Sequence, residues 1–269
     1  MSREAIDKTL KMFVGGAFVR SESGRTLLAS GRSRVPAASR KDLRAAVEAA
    51  EHAGPKWACA TGYLRGQIVY RLAEMLEDRR ASLEALTSLA EVDAAIDLVV
   101  SLAGWSDKAS QVFGGANPVA GPYHNFTIPG PSGVHAVVCP DHPALLGALG
   151  LIVPPLVTGS TVIALLSRAS PEIVALGEVF ATSDVPAGAV NLLTGDLEEL
   201  ASHIASHRSI RSVVAVGVDQ AMRTKLERGA AENLKRVVVF ETPQPESWPA
   251  ADLIERALEF KTIWHPSSV

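Results

Sequence analysis

Short apolar segments alternate with helix-like segments through the second half of this 269-residue chain, and this alternation constrains the fold most. The apolar segments are GVHAVVCP, STVIALL, AVNLLTG, SVVAVG and RVVVF. Between them lie 144–157, 171–183 with Pro171 in its first turn, 197–206 and 220–231, which have the length and periodicity of helices. Buried strands joined by helices are typical of right-handed βαβ crossovers. The pattern predicts a doubly wound, Rossmann-like α/β fold around a parallel sheet.

The N-terminal part of the chain predicts a ribbon followed by a layer of helices. Residues 13–30 alternate β-forming residues around glycine turns, which indicates a β-hairpin. Ser39 is a candidate N-cap for a helix over 43–53, and further helical runs cover 64–80 and 83–109. We expect these helices to form one layer with its polar face outward.

Two segments differ from this pattern and predict an arm and a linker. Residues 117–131 (NPVAGPYHNFTIPGP) mix Pro and Gly with aromatic and β-branched residues, which suits an exposed β arm. Residues 241–252, which begin with ETPQPESWPA, indicate a linker. The predicted organisation is a main domain over 1–240, this linker, and a C-terminal helix and strand over 253–269.

Composition narrows the classes of function. The net charge of -3 and the absence of a long Lys/Arg run argue against a nucleic-acid surface. The most apolar segment, 144–157, is too short to span a membrane, and the N-terminus lacks the apolar core of a signal peptide, so a soluble, cytoplasmic protein is expected. Cys59 and Cys139 lack the spacing of a zinc site or a redox dithiol.

The order of several motifs resembles the N-terminal, cofactor-binding half of the aldehyde dehydrogenases. The motifs are GGAFVRSESG, AVEAAEHAGPKW, AGWSDKAS, GVHAVVCP, GSTVIALLSRASP, VPAGAVNLLTGD and ENLKRVVV, and the terminal ALEFKTIW resembles the family's oligomerisation strand. In the family, the catalytic domain lies between the last two of these segments, where this chain has only the linker and a short helix. The arrangement is most similar to the truncated second domain of the family-sixteen aldehyde dehydrogenases.

The resemblance implies that this chain has no catalytic residues of its own. Neither Cys59 nor Cys139 matches the family's nucleophile, and a buried free cysteine is usually inert. Glu241 lies one position from the family's general base, which turns its side chain to the other face of a strand. His142 takes the place of the asparagine that stabilises the oxyanion.

The resemblance also implies a vestigial cofactor site. The residues that match the family's ribose-binding Lys and Glu are Leu165 and Arg168, and the pyrophosphate-binding turn has become Gly217 to Met222. Asp219 places a carboxylate at a helix N-terminus where the anion would lie, and it suits an N-cap instead. We therefore expect no cofactor, and a vestigial pocket formed by Pro140, His142, Ser167, Gly195, Gly217 and Val218.

Three functional hypotheses follow from these residues. The favoured one is a non-catalytic pseudoenzyme that assembles with itself or with a full-length aldehyde dehydrogenase through 117–131 and 257–266. The second is an NAD(P)-dependent oxidoreductase whose active site is completed by another chain. The third is a metal-binding or sensing module built on the vestigial pocket. His203 and His207 have the i,i+4 spacing of zinc ligands but no third ligand, so no metal is expected.

Overall fold

Twelve strands and ten helices form the part of the chain that the computed structural model describes, which is residues 10–28, 34–241 and 249–267. The strands are β1 (Met12–Val14), β2 (Ala17–Val19), β3 (Thr26–Leu28), β4 (Arg34–Pro36), β5 (Gly115–Ala116), β6 (Tyr123–Pro131), β7 (Val134–Val138), β8 (Thr161–Leu165), β9 (Val190–Leu193), β10 (Ile210–Val216), β11 (Arg236–Phe240) and β12 (Leu258–Pro266).

The helices are α1 (Arg40–Ala58), α2 (Gly62–Asp78), α3 (Arg80–Glu84), α4 (Leu89–Ala103), α5 (Trp105–Phe113), α6 (Ala144–Thr158), α7 (Leu176–Thr182), α8 (Leu197–Ser206), α9 (Gln220–Ala231) and α10 (Ala250–Arg256). A short 3-10 helix over Pro171–Ala175 precedes α7. Each predicted helix of the second half is therefore present, with the segment at Pro171 divided into two pieces.

The central sheet confirms the predicted doubly wound fold. Its strand order is β11-β10-β7-β8-β9-β1-β2, and the five strands from β11 to β9 are parallel. The chain moves outward from β7 through β8 to β9, then returns to the other side of β7 for β10 and β11. The strand order thus reverses between β7 and β10, which is where ligands bind in open α/β sheets.

Helices cover both faces of this sheet. One face packs against α2, α4, α6 and α7, and the other packs against α1, α8 and α9. The helix α6 is apolar on all sides, and every one of its 15 residues is buried, as expected for a helix inside a core. In the described part of the chain, no helix is long and apolar enough to cross a membrane.

The predicted N-terminal hairpin is part of the central sheet. Strands β1 and β2 are joined by Gly15 and Gly16, whose φ angles of 61° and 81° suit a two-residue turn between antiparallel strands. Phe13 in β1 pairs with Leu192 in β9, which extends the parallel sheet by two antiparallel strands. A second ribbon, β3 with β4, follows. The sequence indicated the turn but not the pairing with β9.

The helical layer contains more helices than expected. The capping box at Ser39 and Asp42 begins α1, as predicted. The segment 83–109, expected as one helix, is divided among α3, α4 and α5. Ser88 starts a new helix because its side chain accepts a hydrogen bond from the Glu91 amide, and Gly104 separates α4 from α5. The single-helix expectation was wrong at these two boundaries.

The predicted arm and terminal strand pair with each other. Strand β12 runs antiparallel to β6 over their whole length, from Leu258 opposite Pro131 to Pro266 opposite Tyr123, and β5 borders the other side of β6. The exposed β arm and the terminal strand, expected as separate assembly elements, are therefore hydrogen-bonding partners of each other within the chain. The long free edge of this three-stranded sheet is the outer edge of β12, and the two-residue β5 is the other edge strand.

The start of β12 is held by a cluster of hydroxyl groups. The carbonyl of Ala257 accepts a hydrogen bond from Ser132 at 2.9 Å and from Thr158 at 3.3 Å, and Ser160 lies at 3.5 Å.

Helix α10 begins at Ala250, inside the predicted linker, and residues 242–248 of that linker lie outside the described residues. The C-terminal segment is therefore fixed to the sheet by α10 and by this carbonyl.

Candidate functional site

A cleft of about 450 Å³ opens at the carboxyl ends of β7, β8, β9 and β10. It lies where the strand order reverses, between the loop after β7 and the loop after β10. The apolar part of its wall includes Val138, Leu165 and Val216, which are buried at the strand ends. Its position and its size are those of a small-molecule site.

The loop after β7 contributes Cys139, Pro140, Asp141 and His142 to the cleft. The carboxylate of Asp141 accepts hydrogen bonds from the Ser167 hydroxyl at 2.8 Å and from the Ala169 amide at 3.2 Å. These bonds tie the loop after β7 to the loop after β8. The sequence placed Ser167 in the pocket, but the structure places it behind the wall, where it positions Asp141.

Cys139 lines the cleft with a protonated thiol. Its side chain is 6% exposed, and burial raises the pKa of the thiol to about 12, because the thiolate loses its hydration in an apolar environment. Cys59 lies at the exposed end of α1, outside the cleft. Glu241, the displaced carboxylate, is an exposed residue directly after β11 and does not line the cleft either.

The loops after β8 and β9 are joined by an ion pair across the cleft. The guanidinium of Arg168 lies 3.0 Å from a carboxylate oxygen of Asp196, and both side chains reach solvent. The same carboxylate group caps α8, since its other oxygen accepts from the Glu198 amide at 3.0 Å. Arg168 is the one Lys or Arg side chain that lines the cleft in the described part of the chain. The sequence showed only that Arg168 replaces the family's Glu, and it did not reveal the pair with Asp196.

The loop after β10 brings Gly217, Val218 and Asp219 to the cleft. Gly217 has a φ of 67°, and a side-chain carbon there would meet no atom within 4 Å, so the backbone faces open space. Asp219 is the N-cap of α9, as predicted, and accepts from the Met222 amide at 2.7 Å. Met222 itself is buried in the core on this side of the sheet.

The structure brings five of the six predicted pocket residues to the cleft. These are Pro140, His142, Gly195, Gly217 and Val218, with Ser167 directly behind them. The two histidines with zinc-like spacing, His203 and His207, lie elsewhere, at the end of α8. The described residues contain no cluster of His, Cys, Asp or Glu that could hold a metal ion.

Comparison with known proteins identifies the family. The model of the aldehyde dehydrogenase family matches residues 30–242. The chain belongs to the aldehyde dehydrogenase family. It is 30% identical to retinal dehydrogenase 2 of Mus musculus over 253 residues, which cover 86% of this chain and 48% of the relative. It spans about half the length of the curated relatives it matches.

Solved structures of the family have the same fold. The NAD+ complex of an aldehyde dehydrogenase from Bacillus cereus is 26% identical, with a TM-score of 0.80 over 86% of this chain and 50% of that one. The complex of PnpE with nicotinamide adenine dinucleotide gives a TM-score of 0.81 at 24% identity, again over 86% of this chain and 50% of that one; PnpE is from Pseudomonas sp. WBC-3.

These complexes overturn the expectation of no cofactor. The sequence argument weighed single side chains, such as Leu165 and Asp219, against the family's pattern. The cleft, however, is built from strand ends, loop backbone and Gly217, whose backbone faces open space. Arg168 also supplies a cation at the cleft, at the position that matches the family's Glu. The expectation of a fold without a nicotinamide cofactor was therefore wrong.

Proposed function

We propose that this chain is a non-catalytic assembly subunit of an aldehyde dehydrogenase complex that retains the family's dinucleotide cleft. The observation that carries the proposal is the connection between β11 and α10. Only residues 241–249 separate Phe240 from Ala250, and the resemblance places a whole catalytic domain in this interval. A partner chain would then have to supply the nucleophile and the general base.

The sheet of β5, β6 and β12 supports the assembly part of the proposal. Every residue of β12 after Leu258 is exposed, and Phe260, Ile263 and Trp264 are 42%, 41% and 60% exposed. Tyr123 on β6 stacks edge-on against Trp264 with ring centroids 5.9 Å apart. An apolar strand with a free edge is a template for strand addition. The partner proposed for it is another chain of this family, either a second copy or a full-length relative.

The cleft supports the cofactor part. Its apolar wall suits an adenine ring, its open backbone at Gly217 allows close approach, and Arg168 can pair with a phosphate group if it leaves Asp196. The N-terminus of α9 suits a phosphate less well, because the Asp219 carboxylate lies there and already accepts from the Met222 amide in the first turn. NAD or NADP, when bound, supplies a hydride acceptor, and the residues named here bind and orient it.

The same cleft favours a second candidate function, which is an oxidoreductase with a shared active site. The observation for it is that Cys139 and His142 line the cleft, beside the place where a partner's catalytic groups would have to reach. In this case the complex would oxidise aldehydes with a cofactor held by this chain. In the first candidate function, the non-catalytic assembly subunit, the bound cofactor would only stabilise the assembly.

The proposal is tested by the molar mass of the purified chain, alone and mixed with a full-length aldehyde dehydrogenase from the same organism. Light scattering should give a mass above the 28.4 kDa of one chain. Ile263→Lys should lower this mass or abolish the mixed complex, because it places a charge on the exposed face of β12. Leu234→Lys is the matched control, since Leu234 is 96% exposed in the turn before β11 and should change nothing.

A monomer at every concentration that also fails to bind the full-length enzyme would refute the assembly proposal. An assembly that Ile263→Lys leaves intact would place the interface away from β12. Activity separates the two candidates, since only a shared active site makes aldehyde oxidation by the mixture depend on cofactor binding to this chain.

A further inference from the structure

A basic groove crosses the edge of the central sheet opposite the cofactor cleft. The groove lies at the amino ends of β7, β8 and β10 and has two parts, of about 470 Å³ and 250 Å³, that share Arg208. The larger part is bounded by α1, by Gly133 and Thr161 at the starts of strands, and by Arg208 and Arg211. The smaller part contains Arg40, Arg44, His203 and His207, and Arg208 lines both parts.

Arg208 and Arg211 have no ionic partner in the described part of the chain. Both side chains are exposed, and neither makes a hydrogen bond or an ion pair with another described residue. Arg44 in the same groove, by contrast, pairs with Glu48 at 2.8 Å. Two unpaired guanidinium groups three residues apart, one in the turn before β10 and one on β10, are suited to an anion with several oxygens.

The walls of the groove add a hydroxyl group and open backbone. Thr161 is 1% exposed, and its buried hydroxyl has no hydrogen-bond partner among the described residues. Gly133 has a φ of 105°, and a side-chain carbon there would lie 3.2 Å from the Cγ atom of Arg211. A larger residue would therefore displace Arg211. The glycine keeps this arginine beside the groove.

The dipole of helix α8 does not cancel the positive charge of the groove. The carboxyl end of α8 points toward this edge and would favour cations, but its carbonyl groups are already satisfied. Lys235 donates to the carbonyls of Ile204 at 2.9 Å and His207 at 2.7 Å. Two acidic residues lie at the groove. Glu48 pairs with Arg44, and Glu51 lines the larger part of the groove.

Two groups beneath the groove have lowered pKa values. Burial and then Arg211 lower the pKa of Lys235 to about 8. Burial and then Lys235 lower the pKa of His207. Burial is the larger cause in both cases and the positive neighbours Arg211 and Lys235 add to it, while Glu51 and Glu48 raise the pKa of His207.

We infer that this groove binds a phosphate-bearing anion, with Arg208 and Arg211 as its main ligands. Pyrophosphate should bind more tightly than phosphate, because its two phosphoryl groups can engage one guanidinium each. The site is separate from the cofactor cleft, at the opposite ends of the same strands. The inference does not depend on the proposed assembly.

Calorimetric titration of the full chain with sodium phosphate and sodium pyrophosphate, at low ionic strength, tests the inference. Arg208→Gln and Arg211→Gln should each weaken pyrophosphate binding about ten-fold or more, since each removes a charge-assisted contact. Arg208→Lys should keep more of the affinity than Arg208→Gln. Arg228→Gln, an exposed arginine on α9 outside the groove, is the control for the change in net charge and should bind as the wild type does.

Arg168→Gln distinguishes the groove from the cofactor cleft. If pyrophosphate binding survives Arg168→Gln and falls with Arg208→Gln and Arg211→Gln, the groove is the site. If Arg168→Gln abolishes binding, the anion binds in the cleft and the inference is wrong. Absence of binding to the wild-type chain at millimolar pyrophosphate, or equal binding to every variant, also overturns it.

Discussion

His135 is a buried histidine on the central strand β7, and burial lowers its pKa to about 3. Its Nε2 atom lies 2.7 Å from the Ser132 hydroxyl, which in turn donates to the carbonyl of Ala257. Since that hydroxyl proton is already used, His135 must donate from Nε2 and is neutral. Its Nδ1 atom is buried without a partner among the described residues. The folded chain therefore excludes the protonated form of this side chain.

Acid should destabilise the protein through His135. An unfolded histidine titrates near pH 6.5, whereas the folded one stays neutral until about pH 3. Between these values the unfolded state binds the extra proton, so the free energy of unfolding falls as the pH falls. From pH 6.5 to 4.5 the loss attributable to this residue should be about 2 kcal/mol, since each unit of pKa difference is worth about 1.4 kcal/mol.

Urea unfolding of the wild type and of His135→Gln at several pH values measures this loss. The glutamine amide can still donate to Ser132, but it does not titrate, so the variant should lose less stability on acidification. Other histidines, including the partly buried His207, contribute equally to both proteins and cancel in the difference. Parallel losses in the two proteins would show that His135 is not responsible.

Side-chain roles that depend on one local segment were predictable, and those that join distant segments were not. Asp219 as an N-cap follows from its place before a helical run, and the structure confirms it. The Arg168–Asp196 pair joins the loops after β8 and β9. It requires knowing that these strands are neighbours and that both loops bend toward the same cleft. The hydroxyl cluster at Ala257 has the same character, because its members are about a hundred residues apart.

Three helices direct their N-termini toward the region of the cleft, and each is capped by a carboxylate. Asp196 caps α8 and Asp219 caps α9. Glu91, from α4, accepts from the amides of Leu145 and Leu146 at the start of α6, at 2.7 Å and 3.1 Å. The first two caps are readable from the sequence, but Glu91 lies far from α6 in the chain. Positive helix ends that would attract phosphate groups are thus partly neutralised.

Asp219→Asn should increase the affinity of the cleft for NAD and NADP. Asparagine is as good an N-cap as aspartate, so α9 should keep its start while the negative charge is removed. Relief of repulsion at this helix end should be worth about 1 kcal/mol, or roughly five- to ten-fold in Kd. Calorimetric titration measures the gain.

The matched control is Asp252→Asn, which changes an exposed first-turn aspartate of α10 outside the cleft. It should leave dinucleotide affinity unchanged. Equal affinity of Asp219→Asn and the wild type would mean that the dinucleotide binds without approaching α9.

At the scale of the whole molecule, the sequence predicted the class of fold, because the class depends on strands and helices that alternate along the chain. The strands of the parallel sheet and the helices between them follow from local periodicity, so the doubly wound fold was readable. Strand order was not, and it is the order that puts the cleft between β7 and β10. Likewise the arm was visible in residues 117–131, but its partner β12 lies at the far end of the chain. Pairings of this kind depend on the packing of the entire core.

The described part of the chain combines the cofactor-domain fold of the family with a cleft whose cysteine is protonated. Cys139 is the one cysteine at the cleft in the described part of the chain, and its pKa of about 12 leaves about one thiolate in ten thousand at pH 8. A nucleophile in that state would not support aldehyde oxidation. The purified chain should therefore form no NADH or NADPH from aliphatic or aromatic aldehydes.

Absorbance at the wavelength of the reduced cofactor, with and without a full-length relative in the mixture, checks this expectation. Cys139→Ala should behave as the wild type does in both conditions, because the proposed function assigns the nucleophile to the partner. If the chain alone oxidised aldehydes and Cys139→Ala removed the activity, Cys139 would be a nucleophile activated by a rearrangement of the loop after β7. The non-catalytic proposal would then fail, even if the assembly through β12 were correct.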